Sequence, residues 1–192
     1  MKLFSFSCTG LTRPDKKLSL RRVIYEESVD VILLQETLGT IDTISHLLKS
    51  MLLGWSFLAL HANGRLGGIA LGYNTRSINL FNNWGCSGHM GVDIYSADLG
   101  IEIRLINVYG PCHHRPEFWD RFLSSNFLQN DHLILGADIN LSIGLSESWG
   151  HCAQSDPLSS YFENILEAHN LLDIPSAKLQ PTWRNNRAGR PY

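Results

Sequence analysis

Short runs of apolar residues, separated by Gly, Asn, Asp and Pro, recur from one end of the chain to the other, and a few segments with helical spacing lie between them. This is the pattern of a mixed α/β chain rich in strands. Lys2 to Ser7 reads as a first strand, and Pro14 opens a helix to about Glu27 with Leu20, Val23 and Ile24 on one face. Val29 to Leu34 is a continuous apolar run suited to a buried strand, and Ile41 to Met51 reads as a second helix. Strands are predicted at Trp55 to Leu60, Gly68 to Tyr73, Ile78 to Asn82 and Met90 to Ser96, each punctuated by glycine or asparagine. Ile101, Ile103 and Leu105 alternate with Glu102 and Arg104, a strand of period two that continues to Tyr109, where Gly110-Pro111 stops it. A helix over about Pro116 to Leu128 and a strand over His132 to Leu135 follow. Asp156-Pro157 supplies an N-cap and first helical residue for a helix with Leu158, Tyr161, Phe162, Ile165 and Leu166 on its apolar face. The tail from Pro181 shows no period, and no segment repeats.

With 192 residues, 44% of them apolar, the chain can bury one sizeable core and is expected to form a single domain, residues 1–192. Sixteen Lys and Arg against eighteen Asp and Glu leave a formal net charge of −2, so contact with DNA or RNA has to come from a local basic patch. Cys8, Cys86, Cys112 and Cys152 are widely spread with no C-x-x-C pair, which signals neither zinc nor a disulfide scaffold and is read as four reduced thiols. The opening MKLFSFSCTG lacks the apolar stretch of a signal peptide, and Met51 to Leu60 is too short to span a membrane. An intracellular, monomeric protein without a membrane partner is expected. Lys16-Lys17 and Arg21-Arg22 have a bipartite spacing suggestive of nuclear import, but on a helix such pairs form a solvated face and give no clear signal.

Three apolar strands end by delivering polar groups: VILLQE on Glu36, IRLINVY on Tyr109, and HLILGADIN on Asp138 and Asn140. Strand ends that share a rim are where sites are commonly assembled. In an extended segment Asp138 and Asn140, two apart, face the same side, which would put a carboxylate and an amide into one pocket. Hard oxygen ligands of this kind suit Mg²⁺, which takes one or two carboxylates and completes its shell with water and substrate phosphate. Each residue alone also fits an ordinary role, since Asp138 can start an Asx-turn and Glu36 can cap the following helix.

Six segments in order, KLFSFSCTGL, DVILLQET, GGIALGY, INVYGP, LILGADIN and PTWRNNRAGR, resemble the motif series of the endonuclease/exonuclease/phosphatase superfamily. The resemblance runs along the whole chain and is closest to the endonuclease domain of plant LINE-type retrotransposons. It implies a DNase I-like fold, a four-layer α/β sandwich of two mixed sheets flanked by helices, with a Mg²⁺ or Mn²⁺ site at one rim, no small-molecule cofactor, and DNA as substrate. By position, Glu36 matches the metal-binding glutamate and Asp138 the carboxylate that orients or deprotonates the attacking water. Asn140 matches the amide on a phosphate oxygen, and Tyr109 the tyrosine that stabilises developing charge.

The chain departs from the family pattern in two places. Phe6 and Ser7 stand where the family's first motif has tryptophan and the asparagine that supports the metal, and the closing aspartate strand and S-D-H motif are not found before Tyr192. The resemblance therefore implies a C-terminally shortened domain, its last strands missing and its activity weak or nil, with a non-catalytic remnant that binds nucleic acid or protein as the alternative. His113 and His114, just after Tyr109, are the nearest substitutes for the missing histidine, yet adjacent residues cannot both face one site. Trp183, Arg184 and Arg187 form a basic and aromatic mixture suited to a nucleic-acid backbone.

Overall fold

The predicted strands assemble into two four-stranded sheets in a computed structural model that describes residues 1–61, 67–86, 88–144, 147 and 155–174. The chain divides into two compact units, Met1–Asn140 and Leu141–Tyr192. In the first unit, β1 (Leu3–Ser7), β2 (Val31–Gln35), β4 (Ile69–Asn74) and β3 (Trp55–Leu60) lie side by side in that order. β5 (Ile78–Cys86), β6 (His89–Ser96), β7 (Ile101–Tyr109) and β8 (Leu133–Asp138) form the second sheet. Both sheets are mixed: β1 with β2 and β7 with β8 are parallel pairs, and the remaining pairs are antiparallel. The parallel pairs are joined through helices, α1 (Pro14–Glu26) between β1 and β2 and α3 (Arg115–Leu123) between β7 and β8.

Period-two alternation explains the layering. Val31 and Leu33 of β2 face the second sheet and pack with Ile69, Leu71, Val92, Ile94 and Leu105. Their neighbours Ile32 and Leu34 face the other way, onto Leu20 and Ile24 of α1 and Ile44, Leu47 and Leu48 of α2 (Ile41–Met51). All five β2 residues are buried because both faces of the strand are covered, which is why this segment reads as an unbroken apolar run. On the outer face of the second sheet, Phe118, Trp119 and Phe122 of α3 make ring contacts with one another, and Phe118 and Phe122 also pack on His89. The order helix, sheet, sheet, helix is the four-layer arrangement.

The structure adjusts several predicted boundaries. β5 runs four residues beyond Asn82, to Cys86, and absorbs a bulge between Leu80 and Asn82 that alternation does not reveal. The helix over Pro116 to Leu128 ends at Leu123 and is followed by a separate 3₁₀ turn, Asn126–Leu128. In the second unit α4 spans Ser159–Ala168, starting after Asp156-Pro157, because Asp156 Oδ1 accepts from Leu158 N at 2.9 Å and makes a turn there. Among the described residues Cys8, Cys86 and Cys112 are free thiols, and no helix is long and apolar enough to cross a membrane. Cys152, Trp183, Arg184 and Arg187 lie outside the described residues.

One ion pair ties the outer face of the second sheet. Asp93 and Arg104, cross-strand partners on β6 and β7, meet through Nε–Oδ1 and Nη2–Oδ2 bonds of 2.8 and 3.1 Å. Asn82 Nδ2 adds a bond to Asp93 at 3.0 Å, and the guanidinium lies 4.9 Å from the Trp84 ring centre. Burial alone would raise the Asp93 pKa, but the hydrogen bonds from Arg104 and Asn82 and the Arg104 charge outweigh it and hold the carboxyl below its usual range. A depressed carboxylate pKa stabilises the fold above the unfolded-state value of about 4, and that contribution is lost as pH falls through the folded-state pKa. Acid unfolding followed by circular dichroism should therefore lose part of its pH dependence below about pH 4 in Asp93→Asn.

Candidate functional site

The C-terminal ends of β2, β7 and β8 lie together at one rim of the first unit, because β7 and β8 are paired and β2 packs across them. Glu36 follows the last residue of β2, Tyr109 is the last of β7, and Asp138 is the last of β8, directly opposite Tyr109 in the ladder. Ser7 ends β1 beside them, paired with Gln35. The three apolar strands thus deliver their polar endings to one place, as the sequence pattern implies.

Glu36 and Tyr109 are in direct contact across the two sheets. Tyr109 Oη donates to Glu36 Oε1 at 2.6 Å, the short distance of a charge-assisted hydrogen bond, while Ser7 Oγ donates to Glu36 Oε2 at a long 3.4 Å. The Tyr109 phenol is pushed well above the ordinary tyrosine range, first by burial and then by its hydrogen bond to the Glu36 carboxylate and that carboxylate's charge; a hydrogen bond from Asn140 partly offsets this. Tyr109 is consequently a proton donor at every physiological pH.

Asp138 and Asn140 converge by a different route from the one predicted. β8 stops at Asp138, and Asn140 adopts the left-handed conformation, φ 51°, so strand alternation does not apply to it. Asp138 Oδ1 accepts from Asn140 N at 3.2 Å, the Asx-turn available to any aspartate at a strand end. The turn aims the Asn140 side chain back, and its Nδ2 donates to Gly110 O at 2.6 Å next to Tyr109. Arg115 Nη1 reaches Asn140 O at 3.2 Å, and Gly110 N donates to Asp138 O at 2.7 Å. The turn role and the rim position of Asp138 therefore hold together.

Glu36 is also left-handed, φ 51°, and caps no helix, since the N-cap of α2 is Thr40. A non-glycine residue there costs roughly 1–2 kcal/mol, so neighbouring contacts must hold it. Gly10 N donates to Glu36 O at 2.7 Å, and Thr37 N and Leu38 N donate to the carbonyls of Gly68 and Gly67 at 3.2 and 2.8 Å. A Cβ on Gly67 would come within 2.9 Å of the Glu36 Cα, so the Gly-Gly pair ahead of β4 is what lets this backbone approach. Lys16 of α1 donates to the carbonyls of Cys8 and Thr9, fixing the loop on the other side. Buried Cys8 is pushed up to about 12, mainly by burial, and is an inert thiol.

Sequence reasoning missed the residues beneath the rim. Gln35 and Asn107, both buried to 1% exposure or less, bond to each other between the sheets, Gln35 Nε2 donating to Asn107 Oδ1 at 2.7 Å and to Ser5 Oγ at 3.1 Å. Asn107 Nδ2 donates to Leu34 O and Ala70 O at 3.2 and 2.9 Å. The signal was an amide inside each of two apolar runs, VILLQ and LINVY, because a buried amide has to find partners. Among the described residues no histidine bonds to the site: His113 and His114 are exposed, with His114 left-handed at the N-cap of α3, and His89 sits among Phe118, Phe122 and Phe127, where burial holds its pKa down.

The donor set at the rim is hard oxygen: the carboxylates of Glu36 and Asp138 and the hydroxyls of Ser7 and Tyr109. Among the described residues no three His, Cys, Asp or Glu cluster as a ready-made cage. Such a donor set is of the chemical kind that a small hard divalent cation takes, and Glu36 and Asp138 are the carboxylates there that could hold one.

No protein-family model matches this sequence, and no curated protein matches it. Solved structures share the fold. An AP endonuclease from Leishmania major aligns with 15% identity over 87% of this chain and 66% of its own, TM-score 0.65. The endonuclease domain of TRAS1, a telomere-specific non-LTR retrotransposon, aligns with 14% identity over 86% and 70%, TM-score 0.63. The D. rerio TDP2 complex with a single-strand DNA product aligns with 14% identity over 72% and 60%, TM-score 0.55. The chain spans 60–72% of the length of such structures. Its two mixed sheets with flanking helices are the DNase I-like fold of endonuclease/exonuclease/phosphatase proteins.

Gly67→Ala should force Glu36 aside and lower stability by roughly 1–3 kcal/mol, read as a reduced urea midpoint. Gly67 is not at a positive φ, so the loss reports the clash with Glu36 and not a strained alanine backbone.

Proposed function

We propose that this chain is a Mg²⁺-dependent phosphodiesterase domain that nicks DNA in the manner of a LINE-type retrotransposon endonuclease, Mn²⁺ serving in place of Mg²⁺. The observation that carries the reading is the meeting of Glu36, Tyr109, Asp138 and Asn140 at one rim, with Tyr109 bonded to Glu36 at 2.6 Å. DNA as substrate is supported by the fold likeness to a retrotransposon endonuclease domain and to a protein solved with a single-strand DNA product. The affinity to plant LINE elements rests on the six sequence motifs, and the reading takes residues 1–192 as one such domain.

Glu36, with its second oxygen only loosely held by Ser7, would bind the cation, which when present neutralises charge on the scissile phosphate. Asp138 would orient a water and accept its proton as the water oxygen forms the new P–O bond. The old P–O bond breaks, and the departing alkoxide takes a proton from solvent. Tyr109 keeps its proton on Oη, and that O–H can turn from Glu36 to a phosphoryl oxygen as charge builds there. Asn140, with one amide hydrogen held by Gly110 O, would turn the other from Tyr109 to a second phosphoryl oxygen. Ser7 offers one short hydroxyl where the family pattern has an asparagine, which accounts for a weak site. Trp183, Arg184 and Arg187 would add backbone contacts and stacking.

Plasmid relaxation by the purified chain tests this directly. Nicking should require Mg²⁺ or Mn²⁺, vanish in Glu36→Gln, and fall roughly 10²–10⁴-fold in Asp138→Asn. Folded protein that leaves plasmid intact, or that nicks equally well as Glu36→Gln, overturns the reading; retained DNA binding in the first case would make the chain a non-catalytic remnant.

A further inference from the structure

Between the sheets, directly beneath the rim, two buried amides interrupt the apolar interior. Gln35 immediately precedes Glu36, and Asn107 lies two residues before Tyr109 on the same face of β7. Their side chains are joined at 2.7 Å. Asn107 also donates both amide hydrogens to the backbone of the opposite sheet, to Leu34 O on β2 and Ala70 O on β4, and Gln35 spends its second hydrogen on Ser5 Oγ of β1. One side chain from the second sheet thus holds two strands of the first, while its partner ties in the third.

The apolar contacts around this network are non-directional and allow the sheets small relative shifts. Hydrogen bonds do not, because N–H···O contacts weaken steeply with distance and angle, and breaking one here leaves a buried amide unsatisfied. The rim bond from Tyr109 to Glu36 spans the same gap between the same two strands, one step further along. A displacement of an ångström between the sheets would break it.

We infer that Gln35 and Asn107 are positioning residues that lock the register of the two sheets and so deliver Tyr109 Oη to Glu36. This rests on the phosphodiesterase reading of the rim for its consequence in catalysis, though not for its structural content. It assigns a reason for two buried amides where apolar residues would pack as well. It also separates their role from fold stability: the sheets would still stack without them, at a less defined offset.

The test uses the full chain labelled with ¹³Cζ-tyrosine, the Tyr109 signal being identified by its loss in Tyr109→Phe, at one neutral pH. Gln35→Met and Asn107→Leu keep volume and remove the bridge, and Ser5→Ala, at an exposed residue, loosens Gln35 only. The Tyr109 signal should move in all three, least in Ser5→Ala, and stay in place in the exposed control Leu53→Ala. Nicking by Gln35→Met and Asn107→Leu should fall about tenfold to a hundredfold in kcat with KM little changed. An unmoved Tyr109 signal in folded Gln35→Met or Asn107→Leu overturns the inference. If neither variant folds, Ser5→Ala decides by the same signal, a shift supporting the inference and no shift overturning it. A wild-type chain that does not nick removes the phosphodiesterase reading alone, since the tyrosine signal still reports on positioning.

Discussion

Two sheets packed face to face must leave no polar group between them without a partner, and beneath the rim that requirement falls on Gln35 and Asn107. Gln35 and Asn107 are buried among Val, Ile and Leu, where an unpaired amide costs on the order of 1–3 kcal/mol; Gln35 donates to the Asn107 carbonyl, and Asn107 donates to backbone carbonyls of the opposite sheet. Every polar contact of the rim lies just beyond them. The apolar layers on either side decide that the sheets stack, and the amide bridge fixes how far one sheet is offset along the other.

The rim is built at the expense of local backbone comfort. Glu36 and Asn140 both take the left-handed conformation, and each is held by hydrogen bonds from loops on two sides. Strain of this kind persists only where the surroundings over-determine it. The Gly67-Gly68 pair, the Lys16 clamp and the Asx-turn at Asp138 supply that determination, so residues remote in the chain act on the same few atoms. Tyr109 then completes the site as a phenol kept protonated by burial and by the carboxylate it serves.

The histidines show how the same residue type divides by environment. His89, enclosed by three phenylalanine rings, is a packing residue with its charged form disfavoured, whereas His113 and His114 stand in the exposed turn before α3. None contributes to the cluster of Glu36, Tyr109, Asp138 and Asn140 among the described residues, so the chemistry proposed for the rim rests on oxygen donors and amides.

Most of the architecture was legible in one dimension. Period-two runs and their turn residues locate the strands, Pro14 and the spacing of Leu20 and Ile24 locate α1, and the polar endings of three apolar runs single out Glu36, Tyr109, Asp138 and Asn140. These features are local, and local sterics and burial write them into residue order. What only the tertiary structure decided is which endings meet. The bulge in β5, the left-handed turn that brings Asn140 back to Tyr109, the closeness of Gly67 to Glu36 and the bond between Gln35 and Asn107, 72 positions apart, all depend on contacts between distant segments. A polar residue in an apolar run announces that it needs a partner, but the partner's identity is set by how two sheets stack.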